Sequence, residues 1–200
     1  MVWNEGAMAR PREFDPDDVL QTAIELFWEK GYYNSSVDEV VRQSGVAKYG
    51  IYGVFGSKRE LFKKALTQYA IDRHSDIQCV IRKPGAALPE ILTFFKEAVT
   101  RMTRQNTKRG CLMVNTGVEL GLRDAEIRDV VTDFFQDTEE VMARCLANAV
   151  EQGQLVDVSS VPALAAFLVN EFRAALMLAA SGSPRRSIQA HLDMALRVLS

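Results

Sequence analysis

The sequence predicts an all-α fold of about nine helices. Apolar residues recur at intervals of three and four along most of the chain, the spacing that places them on one face of a helix. Glycine and proline interrupt this pattern at Gly31, Gly45, Pro84, Gly153 and Pro184, where helices are expected to end. The sequence shows neither the apolar–polar alternation of a half-buried strand nor a repeat or low-complexity tract.

Composition limits the class of protein. Apolar residues make up 48% of the 200 residues, enough to bury a core in one compact domain with a small lobe. The net charge of −2 is not that of a general polycation. Cys79, Cys111 and Cys145 are few and widely spaced, which favours a reducing compartment over a disulfide framework. The sequence at residues 1–9 lacks a secretory pattern, and we expect no apolar run to approach the length of a membrane span. We therefore expect a cytoplasmic protein.

The first helix has clear start and stop signals. Asp15 is an expected N-cap and Pro16 takes the first helical position, while Asp17 and Asp18 complement the helix dipole. Gly31 ends the helix. Its apolar face is formed by four residues at helical spacing: Leu20, Ala23, Ile24 and Phe27.

Two short helices follow, separated by a glycine turn. Ser36 and Glu39 form a capping box at the start of the helix from Val37 to Gln43. Gly45 permits the turn, and a second helix is expected at about residues 47–55. Two short helices across a tight turn form a helix-turn-helix pattern, whose second helix enters the major groove of DNA.

The remaining helices form the body of the protein. A second capping box, Ser57 and Glu60, begins a long helix predicted to continue to about Ile81. The next helix, at about residues 89–102, has apolar residues nearly all round its surface and is expected to be buried. The others are expected at four places: between Gly110 and Gly121, at residues 124–152, from Pro162 to Gly182, and from about Ser187.

The helix-turn-helix region also matches a known family. The segment VAKYGIYGVFGSKRELF resembles the recognition-helix signature of the TetR family of bacterial transcriptional regulators. PREFDPDDVLQTAIELFWEKGYYNSSVDEVV resembles the first helix of that family and the Gly-Tyr junction after it. The resemblance covers roughly residues 10–62. It implies a DNA-binding domain at residues 10–57 and an effector-binding and dimerisation domain at residues 58–200.

The same resemblance implies the partners. A homodimer would form a four-helix bundle from the last two helices of each chain, and it would read a palindromic operator. A small-molecule effector would release the DNA, as expected of a repressor. For these last two helices, packing within the chain's own core is the alternative.

The predicted DNA contacts divide into three groups. Lys48 and Tyr49, with Ala47 and Gly50, are expected to face the bases. Tyr52 and Lys58 match motif positions that contact phosphate in the family, and Ser36 could donate to phosphate from a helix N-terminus. Arg10 and Arg12 could form an arm that reaches the minor groove, or an ordinary disordered tail. The alternative for Tyr52 is a packed core aromatic.

A local excess of positive charge supports the DNA interpretation. Residues 42–64 contain six basic side chains and one acidic side chain, which suits contact with phosphates on one face of a mildly acidic protein. A solvated helix surface is the alternative interpretation of the same residues.

The predicted effector pocket is an apolar set with few polar groups, as small-molecule sites usually are. For each member, ordinary core packing is the alternative. The set comprises Phe94, Phe95, Met102, Cys111, Met113, Asn115, Phe134 and Met142.

Cys111 suggests a second hypothesis. It follows Lys108, Arg109 and Gly110 and is expected near a helix N-terminus, features that lower the pKa of a thiol. The Gly-Cys-Leu step resembles a TetR subgroup that includes sensors of electrophiles and oxidants. Cys111 is therefore either a reactive sensor or a buried, inert core cysteine.

A third hypothesis is a helical small-molecule-binding protein or enzyme without a DNA role. The sequence lacks a nucleophile elbow, a Walker motif and a dinucleotide fingerprint. His74 and His191 are far apart, and the cysteines lack the spacing of a structural zinc site. We expect no catalytic residue, metal or cofactor.

Overall fold

The regular structure is helical throughout the computed structural model, which describes residues 14–76, 78–103, 109–156 and 158–200. These residues form nine α-helices and a final 3-10 turn, without a strand, so the predicted fold class is confirmed. The helices are α1 (Pro16–Lys30), α2 (Val37–Ser44), α3 (Lys48–Phe55), α4 (Lys58–Asp76), α5 (Leu88–Met102), α6 (Leu112–Leu120), α7 (Ala125–Glu151), α8 (Val161–Ala180) and α9 (Arg185–Leu196), followed by a 3-10 turn at Arg197–Leu199.

The predicted caps of the first two helices are present. The Asp15 carboxylate accepts a hydrogen bond from the backbone N–H of Asp17 at 2.9 Å. At α2 the Ser36 hydroxyl accepts from the Glu39 N–H at 3.2 Å, and the Glu39 carboxylate accepts from the Ser36 N–H at 3.0 Å. Each pair satisfies backbone donors that a helix start leaves open. These local bonds fix where α1 and α2 begin.

The first four helices share an aromatic core. The Phe27 ring of α1 meets the Phe62 ring of α4 edge-on at 4.8 Å between centroids, and Tyr32 packs against Phe62 at 4.9 Å. Ile51 and Phe55 bury the inner face of α3, as predicted. Leu20, which was expected in this core, is only partly buried. The lobe with α2 and α3 is thereby anchored on α1 and α4.

Two predicted helices differ from those observed. The fourth ends at Asp76 instead of continuing to Ile81, because the buried Gln78 amide donates to the Thr138 hydroxyl at 2.9 Å and the chain turns there. Helix α5 is buried on one face only: Leu92 is 44% exposed. A helix at the edge of the body needs only one apolar face.

Helix α8 corrects the statement that no apolar run is long enough to span a membrane. By length and composition alone, its 20 residues could do so. In the fold α8 packs against α7 and α9, and its Leu168, Phe172 and Ala175 side chains are buried. The core position of the helix accounts for its apolar composition.

Replacing Phe62 should test the aromatic core. Phe62→Ala removes a side chain that is 1% exposed and should lower the free energy of unfolding by about 3–5 kcal/mol. The exposed Thr67→Ala on the same helix is the control, with a change within about 0.5 kcal/mol. Urea unfolding followed by circular dichroism measures both, and equal midpoints would contradict the assigned packing.

Candidate nucleic-acid interface and internal cavity

Helix α3 presents an exposed face of aromatic and basic side chains. Tyr49 is 78% exposed and Tyr52 is 39% exposed, although aromatic residues are usually at least partly buried. The opposite face is fixed by the buried Ile51 and Phe55. Tyr52 is therefore not a packed core aromatic. Helix α3 exposes the phenol groups of both Tyr49 and Tyr52 to solvent.

Lys48 stands at the first position of α3 and pairs with α2. Its ammonium lies 2.8 Å from the Asp38 carboxylate, and the hydrogen bond to Asp38 raises the pKa of Lys48. Ala47 precedes it as the N-cap and is exposed. The Asp38 pair holds the Lys48 side chain beside the turn between the two helices.

The glycines of α3 differ in surroundings. A Cβ at Gly53 would have open space around it, whereas one at Gly50 would lie 3.0 Å from the Phe14 ring. Packing against Phe14 therefore accounts for glycine at position 50. The outer surface of α3 is open at position 53.

Lys58 and Ser36 both make contacts within the protein that stabilise the fold. The Lys58 ammonium donates to the Tyr32 carbonyl oxygen at 2.6 Å and lies 4.4 Å from the centre of the Tyr32 ring. Burial lowers its pKa. Ser36 belongs to the capping box of α2. Phosphate contact by either residue stays a prediction. Arg10 and Arg12 lie outside the described residues.

The predicted excess of positive charge is partly neutralised by acidic residues distant in sequence. Arg59 of α4 makes two hydrogen bonds to the Asp124 carboxylate, at 2.9 and 3.0 Å. Lys63 lies 2.8 Å from Glu126 of α7. These two bases therefore join α4 to α7, and the estimate from residues 42–64 alone was too large because α7 supplies the balancing carboxylates.

Glu119 of α6 is a structural residue that sequence reasoning missed. Its carboxylate accepts the backbone N–H of Tyr32 at 2.9 Å and that of Tyr33 at 2.8 Å. Gly31 has φ 76°, a backbone conformation that favours glycine, and a Cβ there would lie 2.7 Å from a Glu119 oxygen and displace the carboxylate from this position. Helix α6 thus holds the junction that leads from α1 into α2.

A cavity of about 70 Å³ lies beside the N-terminus of α6. Helices α1, α4, α5, α7 and α8 contribute the other walls. The described lining residues are Trp28, Tyr69, Arg73, Gln78, Ala98, Arg101, Met102, Gly110, Cys111, Phe134, Phe172, Leu176 and Ala179.

Three of the eight predicted pocket residues line this cavity: Met102, Cys111 and Phe134. Phe94 and Phe95 are buried behind the wall, where their rings pack against Phe172. The sequence placed the correct helices together but could not distinguish the cavity face from the core behind it.

The other three predicted residues lie elsewhere. Met142 is fully buried in the core. Met113 lines a separate surface groove between α6, α7 and α8. The Asn115 amide donates to the Arg109 carbonyl oxygen at 2.8 Å and so supports the loop before α6. None of the three is among the described residues that line the cavity.

The polar side of the cavity was not predicted. Arg73 of α4 and Arg101 of α5 both pair with Asp76, and the guanidinium of Arg73 lies 5.2 Å from the centre of the Tyr69 ring. The buried Nε–H of Arg73 has no hydrogen-bond partner among the described residues, which costs about 1–3 kcal/mol. The four-residue spacing of Tyr69 and Arg73 was the available signal.

Cys111 occupies the predicted place but lacks the predicted chemistry. It is the N-cap of α6, is 5% exposed and accepts a hydrogen bond from the Tyr69 hydroxyl at 3.5 Å. Burial raises the pKa of the Cys111 thiol, and Arg109 pairs with Glu25 instead. The expected low-pKa thiolate is wrong, because desolvation outweighs the helix N-terminus. Lys108 lies outside the described residues.

Within the part of the chain that the structure describes, no group of three or more His, Cys, Asp or Glu side chains is arranged to hold a metal ion.

The fold and the α2–α3 surface define a helix-turn-helix DNA-binding protein with a helical body. Residues 19–65 match the family of bacterial regulatory proteins, tetR family. Residues 87–192 match the tetracyclin repressor-like C-terminal domain. The chain belongs to the TetR family of DNA-binding transcriptional regulators, which decides against the hypothesis of a protein without a DNA role.

Two relatives of known sequence can be aligned with most of the chain. The uncharacterized HTH-type transcriptional regulator YezE of Bacillus subtilis (strain 168) is 29% identical, with 96% of this chain and 100% of YezE aligned. The HTH-type transcriptional repressor ComR of Escherichia coli (strain K12) is 27% identical over 80% of this chain and 76% of ComR.

Among solved structures, a cysteine mutant of the TetR family transcriptional regulator CifR has been determined with 26-bp double-strand operator DNA. It superimposes with a TM-score of 0.83 at 25% identity, covering 94% of this chain and 98% of that chain. The shared architecture therefore includes both the helix-turn-helix lobe and the body.

Thiol labelling should follow exposure. With limiting iodoacetamide on the native protein, Cys79, which is exposed, should react before Cys111 and Cys145, which are buried and have raised pKa values. Peptide mass spectrometry measures the order, and the urea-unfolded protein, in which all three thiols are accessible, is the control. Faster labelling of Cys111 in the native protein would contradict its assigned burial.

Proposed function

We propose that this chain is a homodimeric, cytoplasmic transcriptional repressor that binds a palindromic operator and releases it when a small molecule occupies the cavity. The observation that carries the proposal is the connection between the two sites. The N-cap of helix α6, Cys111, lies in the cavity wall, and Glu119 in the last turn of the helix holds the α1–α2 junction. In this proposal residues 10–57 form the DNA-binding domain, and residues 58–200 bind the effector and form the dimer.

The exposed face of α3 supports the DNA role. Lys48 and Tyr49 stand where the second helix of a helix-turn-helix meets base edges, and the Tyr52 hydroxyl can donate to a phosphate. The relative ComR is a repressor and CifR is bound to operator DNA, which favours the same action here.

Exposed apolar side chains on the last two helices support the dimer. The predicted Ala and Leu stripes largely pack inside the chain, with Leu168, Ala175 and Leu192 buried. Other residues face outwards: on α8, Phe167 is 40% exposed and Met177 52%; on α9, Met194 is 60% exposed; and in the 3-10 turn that follows, Val198 is 50% exposed. Exposed apolar side chains of this size are suited to a protein contact, and a dimer brings two recognition helices to successive major grooves.

Release of DNA follows from differential binding. A ligand shifts an equilibrium only by the difference in its affinity for the two states. A ligand beside Gly110 and Cys111 contacts the start of α6, and the far end of α6 carries Glu119. A ligand that favours a shifted α6 therefore favours a shifted α1–α2 junction, and the two recognition helices no longer match the operator.

Changing the base-reading residues should alter operator preference. Lys48→Ala should reduce discrimination at the base it contacts by about 1–3 kcal/mol, as measured by selection of bound genomic fragments and by fluorescence anisotropy on the selected operator and its single-base variants. Unchanged preference in Lys48→Ala and Tyr49→Ala together would show that other residues read the sequence.

A phosphate contact should instead weaken binding to all sequences. Tyr52→Phe removes one hydroxyl and should cost about 0.5–1.5 kcal/mol on every operator variant. Tyr33→Phe, an exposed tyrosine outside α3, is the matched control and should bind as wild type. Equal affinities for the two variants would remove Tyr52 from the interface.

Glu119→Gln tests the connection between α6 and the DNA lobe. The amide offers one oxygen acceptor where the carboxylate offers two, so one N–H of Tyr32 or Tyr33 loses its partner. Operator affinity should fall by about tenfold, since bonds to a charged group contribute roughly 1.5–3 kcal/mol, and hydrogen exchange at both amides should accelerate. Glu140→Gln, at an exposed site, is the control. Slow exchange in Glu119→Gln would refute the link.

A further inference from the structure

We infer that the cavity binds a small aliphatic carboxylate, with its carboxylate at Arg73 and its hydrocarbon part among the apolar walls. The inference deepens the proposed function, on which the regulatory role of this ligand rests. The contacts that carry it concern the chemistry of the cavity alone and are independent of DNA binding.

The charge of the lining favours an anion. Two of the described lining residues are arginines and none is acidic. Both guanidinium groups share the carboxylate of Asp76, with Arg101 the closer partner, and Arg73 lies 3.6 Å from it. Because Asp76 lies only 2.5 Å from Arg101, it is the weaker partner of Arg73, whose charge remains available at the polar end of the cavity.

The geometry of Arg73 favours a carboxylate. Its buried Nε–H has no hydrogen-bond partner among the described residues, and its distance to Asp76 is longer than a good hydrogen bond. The guanidinium is held over the ring of Tyr69. A planar fork with an open donor matches the two oxygens of a carboxylate.

The remaining walls of the cavity favour an apolar group for the part of the ligand beyond its carboxylate. They are mainly aromatic and aliphatic, including Trp28, Phe134, Phe172 and Leu176, and offer few partners to the additional oxygens of a phosphate. The volume of about 70 Å³ is roughly half that of a 150 Å³ cavity able to hold benzene. These dimensions favour a short aliphatic chain.

The fluorescence of Trp28 can report ligand binding, because its indole lines the cavity and donates a hydrogen bond to the Gly110 carbonyl oxygen. The sequence contains two tryptophans, so Trp3→Phe leaves Trp28 as the single fluorophore. In this background the full-length protein is titrated without DNA, at constant ionic strength, with butanoate, hexanoate, their neutral amides and inorganic phosphate.

We expect at least one acid to bind ten times more tightly than its amide, and phosphate to bind more weakly than that acid. Arg73→Gln should weaken binding of the acid at least tenfold and remove its preference over the amide, while Arg73→Lys should retain part of the preference. Arg144→Gln, at an exposed site outside the cavity, should leave the dissociation constants of the acid and of its amide unchanged.

Equal binding of acid and amide, no binding of either acid at millimolar concentration, or full preference in a folded Arg73→Gln variant would overturn the inference. If Arg73→Gln does not fold, as judged by circular dichroism, the acid–amide comparison in the Trp3→Phe protein still decides. Operator affinity is measured in a separate experiment. An acid that binds through Arg73 but leaves the operator affinity unchanged would uphold the inferred ligand class and refute the proposed effector release.

Discussion

The two hydrogen bonds that Glu119 accepts from Tyr32 and Tyr33 are the constraint on which the arrangement of the DNA lobe depends. They fix the chain as it leaves α1, so the capping box at Ser36 and the two short helices after it begin from a defined point. Gly31 allows the carboxylate to approach, because any side chain at that position would meet it. A charged acceptor in a partly buried place strengthens these bonds.

Lys58 completes the same junction from the other side. Its ammonium binds the Tyr32 carbonyl, so this tyrosine's N–H is held by α6 and its C=O by α4. The pairs Arg59–Asp124 and Lys63–Glu126 then join α4 to the start of α7. The lobe that carries α3 is therefore fastened to the body by charged contacts around an aromatic core. Single exposed ion pairs contribute little, but this set fixes the orientation of two helices.

The sequence predicted features whose causes are local. Asp15, Ser36 and Gly45 act within a few residues, so caps and turns could be read directly, and the buried faces of α1 and α3 followed from helical spacing. The end of α4 could not be predicted, because it depends on a bond between Gln78 and Thr138, sixty residues apart. Glu119 was missed for the same reason: a charged residue in a helix gives no local sign of the distant backbone groups that it meets.

The cavity and the DNA lobe are linked by a short, stiff element rather than by a long chain of contacts. Nine residues of α6 span about 13.5 Å at 1.5 Å per residue. At its start, Gly110 lies so close to α8 that a Cβ would be 2.6 Å from Ala180. That contact prevents α6 from sliding towards α8. In the proposed release, a ligand beside Cys111 would therefore move the helix mainly by turning it, and a turn about this end would produce its largest displacement near Glu119, where the junction to α2 is held.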